Sequence, residues 1–213
     1  MTLTREIRDR RVAVAEDVLL QLRRLDVPLL VLRGVGYIVG AGHVGSSEYE
    51  GIDLDGDLKD HADMVQRRCT VCAMGALLLS KARLLDEVPM AAIVRTHDEI
   101  GEIDVDREDA VRLLKDTFDA DTLNRVEAFF EGSPMHMFTR RYYLSGMDAY
   151  AKSLATPRER MIEVAENIVH NLGEFIVPAR YLSDELSENI VRNLGDFLVP
   201  VQLLNDAKGK DSD

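Results

Sequence analysis

From Thr4 to about Leu25, charged and apolar residues recur in a helical rhythm, with Ile7, Val14, Val18 and Leu22 on one face. Thr4 offers an N-cap hydroxyl, and Pro28 ends the pattern or starts the next element. Leu29–Gly42 changes character. Its short apolar runs, broken by Gly34, Gly36, Gly40 and Gly42, read as extended segments with tight turns or close backbone approaches. The polar, acidic stretch from His43 to Asp63 reads as a loop. Cys72–Leu85 has the composition of a buried helix, and Pro89–Val105 suits a short strand and a turn. Two helices follow, from Arg107 to about Phe118 and from Asp121 to about Glu131. The apolar face of the second is Leu123, Val126, Phe129 and Phe130. Pro134–Ala155 is aromatic and helical in part.

Near Ala155 the pattern restarts. Thr156 is an N-cap, Pro157 takes the first helical position, and Glu159 completes a capping box. Met161, Ala165, Ile168 and Leu172 then form a core-facing stripe, and Gly173 stops the helix as a left-handed residue would. This segment is written twice. ENIVHNLGEFIVP (Glu166–Pro178) returns as ENIVRNLGDFLVP (Glu188–Pro200), identical at ten of 13 positions and shifted by 22 residues. Each unit is a helix end, a glycine and a short extended piece, with Ile168 or Ile190 on the ridge and Phe175 or Phe197 as the anchor. A unit this short cannot bury its own apolar face, so the copies should stack on each other or on the main domain. Asn171 and Asn193 sit where they can satisfy carbonyls at the helix ends.

These elements predict an α+β fold that is predominantly α-helical. A helical main domain (1–155) with a small β-hairpin precedes a C-terminal duplicated helix-turn module (156–205) and a disordered tail (206–213). The duplicated module is the expected interaction surface, through Ile168, Phe175, Ile190 and Phe197.

Charge narrows the function. The net charge of −12 and a pI near 4.9 repel phosphate backbones, so direct nucleic-acid binding is not expected, and a basic protein partner suits the surface. The start of the chain lacks a secretory apolar core. The longest apolar run, Val71–Leu79, is far short of a membrane span. Two cysteines three residues apart in such a chain point away from a structural disulfide and toward the cytoplasm.

Chemistry centres on Cys72. It stands where a helix should begin, close to Arg67 and Arg68, and both features stabilise a thiolate. His97 would be its base and Asp98 or Glu99 the orienter, with His43 and His61 as alternative bases. Against this stands burial, because cysteine is commonly interior and CAMGALLL looks like packed helix. Cys69, beside the two arginines, is expected to be the more exposed of the pair. A second candidate is an anion site between Gly36, Tyr37, Gly40 and Gly42 and the start of the Cys72 helix. Other templates fail. His61, Cys69 and Cys72 are too few for a structural zinc, so no metal or other cofactor is expected. Asp53–Asp60 lacks the glycine and glutamate of an EF-hand, and GVGYIVGAG lacks the dinucleotide spacing.

Gly36, Tyr37, Gly40 and Gly42, followed by Cys72, Gly75, Ala76 and Leu77, resemble a loose group of small uncharacterised bacteriophage and prophage proteins. Those proteins carry a G-x-Y-x-x-G-x-G-like segment ahead of a C-x-x-G-[AV]-L helix start. The repeated ENIVxNLGxFxVP unit is similar to C-terminal stretches of such proteins. The spacing between the two segments is long and acidic here, and the C-terminal unit is doubled. The resemblance implies a phage or mobile-element origin and a cytoplasmic place in a bacterial host. It implies no reaction. The expected function is that of a non-enzymatic accessory protein that binds a protein partner or assembles with itself, with antagonism of a host system as an extension. The alternatives are a Cys72/His97 hydrolase or transferase and a binder of small anions.

Overall fold

A computed structural model describes residues 3–34, 37–44, 53, 55–85, 88–97, 100–132 and 147–178. The described chain is α+β and dominated by helices. The elements are α1 (Arg5–Arg23), β1 (Ile38–Val44), α2 (Leu58–Arg68), β2 (Cys69–Val71), α3 (Ala73–Leu84), β3 (Val94–His97), β4 (Ile100–Val105), α4 (Arg107–Leu114), α5 (Ala120–Glu131), α6 (Met147–Lys152) and α7 (Pro157–His170). Local chemistry sets many of the starts. Thr4 accepts from the Ile7 N–H, Asp106 from Asp109 and Asp119 from Thr122. Thr156 and Glu159 form the full capping box ahead of Pro157.

Helix α3 is the hub. Ala73–Ala82 is buried throughout; apolar residues make up most of it, and Lys81, buried with them, donates to the Leu113 carbonyl and to Asp116. It packs against α1, α2, α4 and α5. One helix lay hidden in the stretch read as a loop. In α2, Leu58, Ala62 and Val65 recur on one buried face while the charges between them stay in water.

The expected hairpin is the β3–β4 half of a larger sheet. Four antiparallel strands lie in the order β2-β1-β4-β3. Residues 30–32 extend it beyond β2: the Leu32 N–H donates to the Val71 carbonyl at 2.9 Å, and the Val71 N–H to Leu30 at 3.0 Å.

Packing runs unbroken across Ala155. α7 lies antiparallel along α1, with the Arg158 guanidinium donating to the Leu22 carbonyl at 2.7 Å and Arg23 paired with Glu166 at 3.4 Å. Phe175 follows it inward and meets Phe129 at 5.2 Å between ring centres; Phe129 meets Tyr150 at 4.6 Å. The first repeat copy is therefore part of the main core. The second copy and the expected tail lie outside the described residues.

Candidate functional site

The residues singled out for chemistry are brought only partly together. Cys72 is the residue before α3, as the pattern predicts, but its environment is the opposite of a nucleophile's. Both cysteines are buried, Cys69 as deeply as Cys72, so the expected exposure of Cys69 is corrected. Burial pushes the Cys72 thiol up to about 12. The N–H groups of Gly75 and Met74 offset part of this, and the nearby Glu131 and Glu127 charges push the same way. The helix-start effect is outweighed because water is excluded and the neighbouring charges are acidic. Arg67 and Arg68 sit on the exposed side of α2.

His97 is not a partner for Cys72. Cys72 follows β2 toward one side of the sheet, while His97 lies on β3 at the opposite edge, where it pairs with Ile100 of β4. The register also puts them at opposite strand ends, since Val71 and Val105 both pair with Ile38. Three strand spacings across and about five residues along separate the two by roughly 20 Å. Asp98, like Gly36, lies outside the described residues.

The glycine-rich segment serves the sheet. Val39 pairs with Asp104, but His43 pairs with Glu102, so β1 carries two more residues than β4 over this interval. Gly40 and Gly42 fall within that irregularity, where a strand without side chains bends easily. Tyr37 covers the start of α3. Its carbonyl accepts from the Cys72 N–H at 3.3 Å and lies against Gly75, where an added Cβ would sit 1.6 Å from that oxygen. The first turn of α3 therefore meets backbone, which displaces the expected anion.

Around Tyr37 the structure assembles a polar cluster on residues the sequence reading passed over. The Tyr37 hydroxyl donates to Glu127. The Arg107 Nε donates to the other oxygen of Glu127 at 3.2 Å, and its Nη2 donates to Asn124. Gly34 N–H donates to the Glu131 carboxylate at 3.1 Å. Burial first, then the bond to Glu127, raises the Tyr37 hydroxyl far above its ordinary value. Each member binds another, so the cluster ties the segment leading into β1 and the start of α4 to α5. Glu127 and Asn124 sit on the α5 face next to its apolar stripe, a position that only burial distinguishes from a surface face. Among the described residues, no three His, Cys, Asp or Glu side chains gather as metal ligands.

The interaction residues also turn inward. Ile168 and Phe175 are fully buried in their own chain, which withdraws them from any partner. Ile190 and Phe197 lie outside the described residues. The first repeat copy shows what its residues do. The Asn167 side chain accepts from the Ile176 N–H at 2.7 Å and donates to its carbonyl at 2.6 Å, folding the chain back beside α7. Asn171 donates to the Asn167 carbonyl at 2.8 Å, as expected of a helix-end asparagine. Two residues are left-handed, Leu172 at φ 53° and Gly173 at φ 96°. Leu172 therefore leaves the core stripe and is 60% exposed, a correction to the expected 161-165-168-172 face. Gly173 approaches Arg11, whose buried guanidinium gathers the Thr117 and Gly173 carbonyls, Asp119 and Glu174.

No family model, curated protein or solved structure matches this chain. No helix among the described residues is long and apolar enough to cross a membrane.

Proposed function

We propose that this chain is a non-enzymatic interaction protein that binds a protein partner or assembles with itself. The observation that carries the reading is the set of leucines left in water where α1 ends and the chain turns toward the sheet. Leu20, Leu25, Leu30 and Leu32 are all exposed, Leu25 almost completely. Leu30 and Leu32 flank buried Val31 on an extended run, so they project to the same side. Exposed aliphatic groups on a strongly acidic chain suit an apolar contact rimmed by charge, and a basic partner. The phage accessory role, with action against a host system, is the setting that the resemblance of the glycine segment and the repeat suggests.

The test is the paired variant Leu30→Asp/Leu32→Asp, which alters only exposed side chains. Light scattering of the full chain over a concentration series should show self-association that the variant loses, or cross-linking in bacterial lysate should show a specific partner that it loses. A wild-type chain that stays monomeric and shares every cross-link with the variant would remove the reading. The cysteine-enzyme and anion-binder readings have no comparable observation behind them.

A further inference from the structure

Two observations meet beside the first turns of α1. The first is a cation without an anion. Arg8 is half buried, yet among the described residues its side chain has neither an ion pair nor a hydrogen bond, and its Nε is fully enclosed. Its neighbours on the helix are served. Arg5 lies 3.7 Å from Asp9, Arg10 donates to Glu6 at 3.1 Å, and Arg11 takes both Asp119 and Glu174. A guanidinium drawn partly out of water with no acceptor is costly, and an anion brought to it removes that cost.

The second is an aliphatic wall held against backbone preference. The turn after α7 is left-handed at 172 and 173, and at 173 the residue is glycine. At 172 it is leucine, with φ 53°, where glycine or asparagine would take the same backbone with less strain. Leu172 is 60% exposed and lines a cleft of about 230 Å³ together with Arg5, Arg8, Asp9 and Val12. Strained residues concentrate where a ligand is held.

The lining fixes the class of ligand. Arg5 and Arg8 bring two positive charges and Asp9 one negative, so the cleft carries +1 and suits a monoanion. A doubly charged phosphate would meet Asp9. Val12 and Leu172 offer a branched aliphatic surface. The volume falls below the roughly 300 Å³ at which drug-sized ligands begin. One edge of a guanidinium presents two N–H groups at the spacing of two carboxylate oxygens, so a carboxylate supplies the acceptor that Arg8 lacks.

We infer that this cleft binds a small aliphatic monocarboxylate, with its carboxylate on Arg8 and its branched chain against Val12 and Leu172. Leu20, the first of the exposed leucines, lies about 18 Å further along α1, so the inference does not depend on the interaction role proposed above.

Calorimetric titration of the full chain with isocaproate near neutral pH tests it. The wild type should give saturable one-to-one binding. Isocaproamide, similar in shape but neutral, should bind at least about tenfold more weakly, and so should inorganic phosphate. Arg8→Gln should weaken isocaproate at least about tenfold. Leu172→Asn should weaken it as much with a Tm no lower than the wild type's, because the strain goes with the wall; this exposed position also serves if Arg8→Gln disturbs the fold. N-acetyl-leucine represents the other source of this chemistry, the carboxyl end of a peptide, and should bind no more tightly than isocaproate. Absence of binding in the wild type overturns the inference, as does affinity that the two variants leave unchanged. Preference for the amide or for phosphate overturns the assigned class, and tighter binding of N-acetyl-leucine overturns the free acid in favour of a peptide.

Discussion

Replacing Arg11 with methionine isolates the contact that ties α1, the α4–α5 turn and the first repeat copy together. The guanidinium is 2% exposed. Its Nε donates to the Thr117 carbonyl at 2.7 Å, Nη2 to Asp119 at 2.7 Å and Nη1 to the Gly173 carbonyl at 3.3 Å, and Glu174 lies at 3.5 Å. The charged carbon sits 5.4 Å from the Phe118 ring centre. Methionine keeps most of the stem, so the packing loss is small. The two carbonyls lose a charged donor, at about 1–3 kcal/mol each where water cannot replace it. Asp119 is half exposed and recovers solvation, so its ion pair adds no more than about 1 kcal/mol. With about 1.5 kcal/mol for each carbonyl and up to about 1 kcal/mol for the ion pair, the sum is about 3–4 kcal/mol. Exchange of a buried pair for apolar groups is sometimes neutral, but only when both partners are replaced. Here two of the partners are backbone carbonyls and cannot be. In a chain of this size that loss lowers Tm by about 10 °C. Urea unfolding followed by circular dichroism measures it, with Asp119→Ala completing a double-mutant cycle. A loss below about 1 kcal/mol at unchanged slope would refute the assignment of Arg11 as a buried tie.

Three further outcomes follow from the same structure. Gly75→Ala places a methyl group 1.6 Å from the Tyr37 carbonyl oxygen and should abolish the native thermal transition, whereas Gly34→Ala meets open space and should cost only about 1–2 kcal/mol for its positive φ; a soluble, wild-type-like Gly75→Ala would contradict the seating of Tyr37 on α3. Native-state alkylation at pH 8 should label Cys69 and Cys72 no faster than the chain unfolds, with labelling in urea as the reference; rapid labelling of Cys72 would reopen the nucleophile reading. The Asp63 carboxyl is held low by the Arg24 guanidinium. Asp106 is held low by the Asp109 N–H. At Asp119, burial pulls upward but is outweighed by the Thr122 and Arg11 donors. As pH falls the unfolded chain takes up these protons first, so stability should be level above about pH 5 and decline below about pH 4. Arg24→Ala should flatten part of that decline in urea midpoints measured across pH.

The sequence by itself determined the elements whose signals are local. Thr4, Thr156 with Glu159, and the apolar spacing of α1, α5 and α7 act within a few residues, so caps and periodicity were readable without a fold. The same holds for the apolar run that opens α3 and for the duplicated unit, which is a statement about letters before it is one about space. The acidic run hid α2 because its charges occupy the solvent face and dominate the composition, while only three small apolar contacts mark the other side. Everything chemical about Cys72 was decided in three dimensions. Water exclusion, the acidic neighbours on α5 and the covering Tyr37 backbone come from segments far along the chain, and strand register sends His97 to the far corner of the sheet. Leu172 shows the same division at one residue. Its spacing assigns it to the core, but the return of the chain at Asn167 and Gly173 needs a left-handed turn there, and that turn points the side chain into solvent.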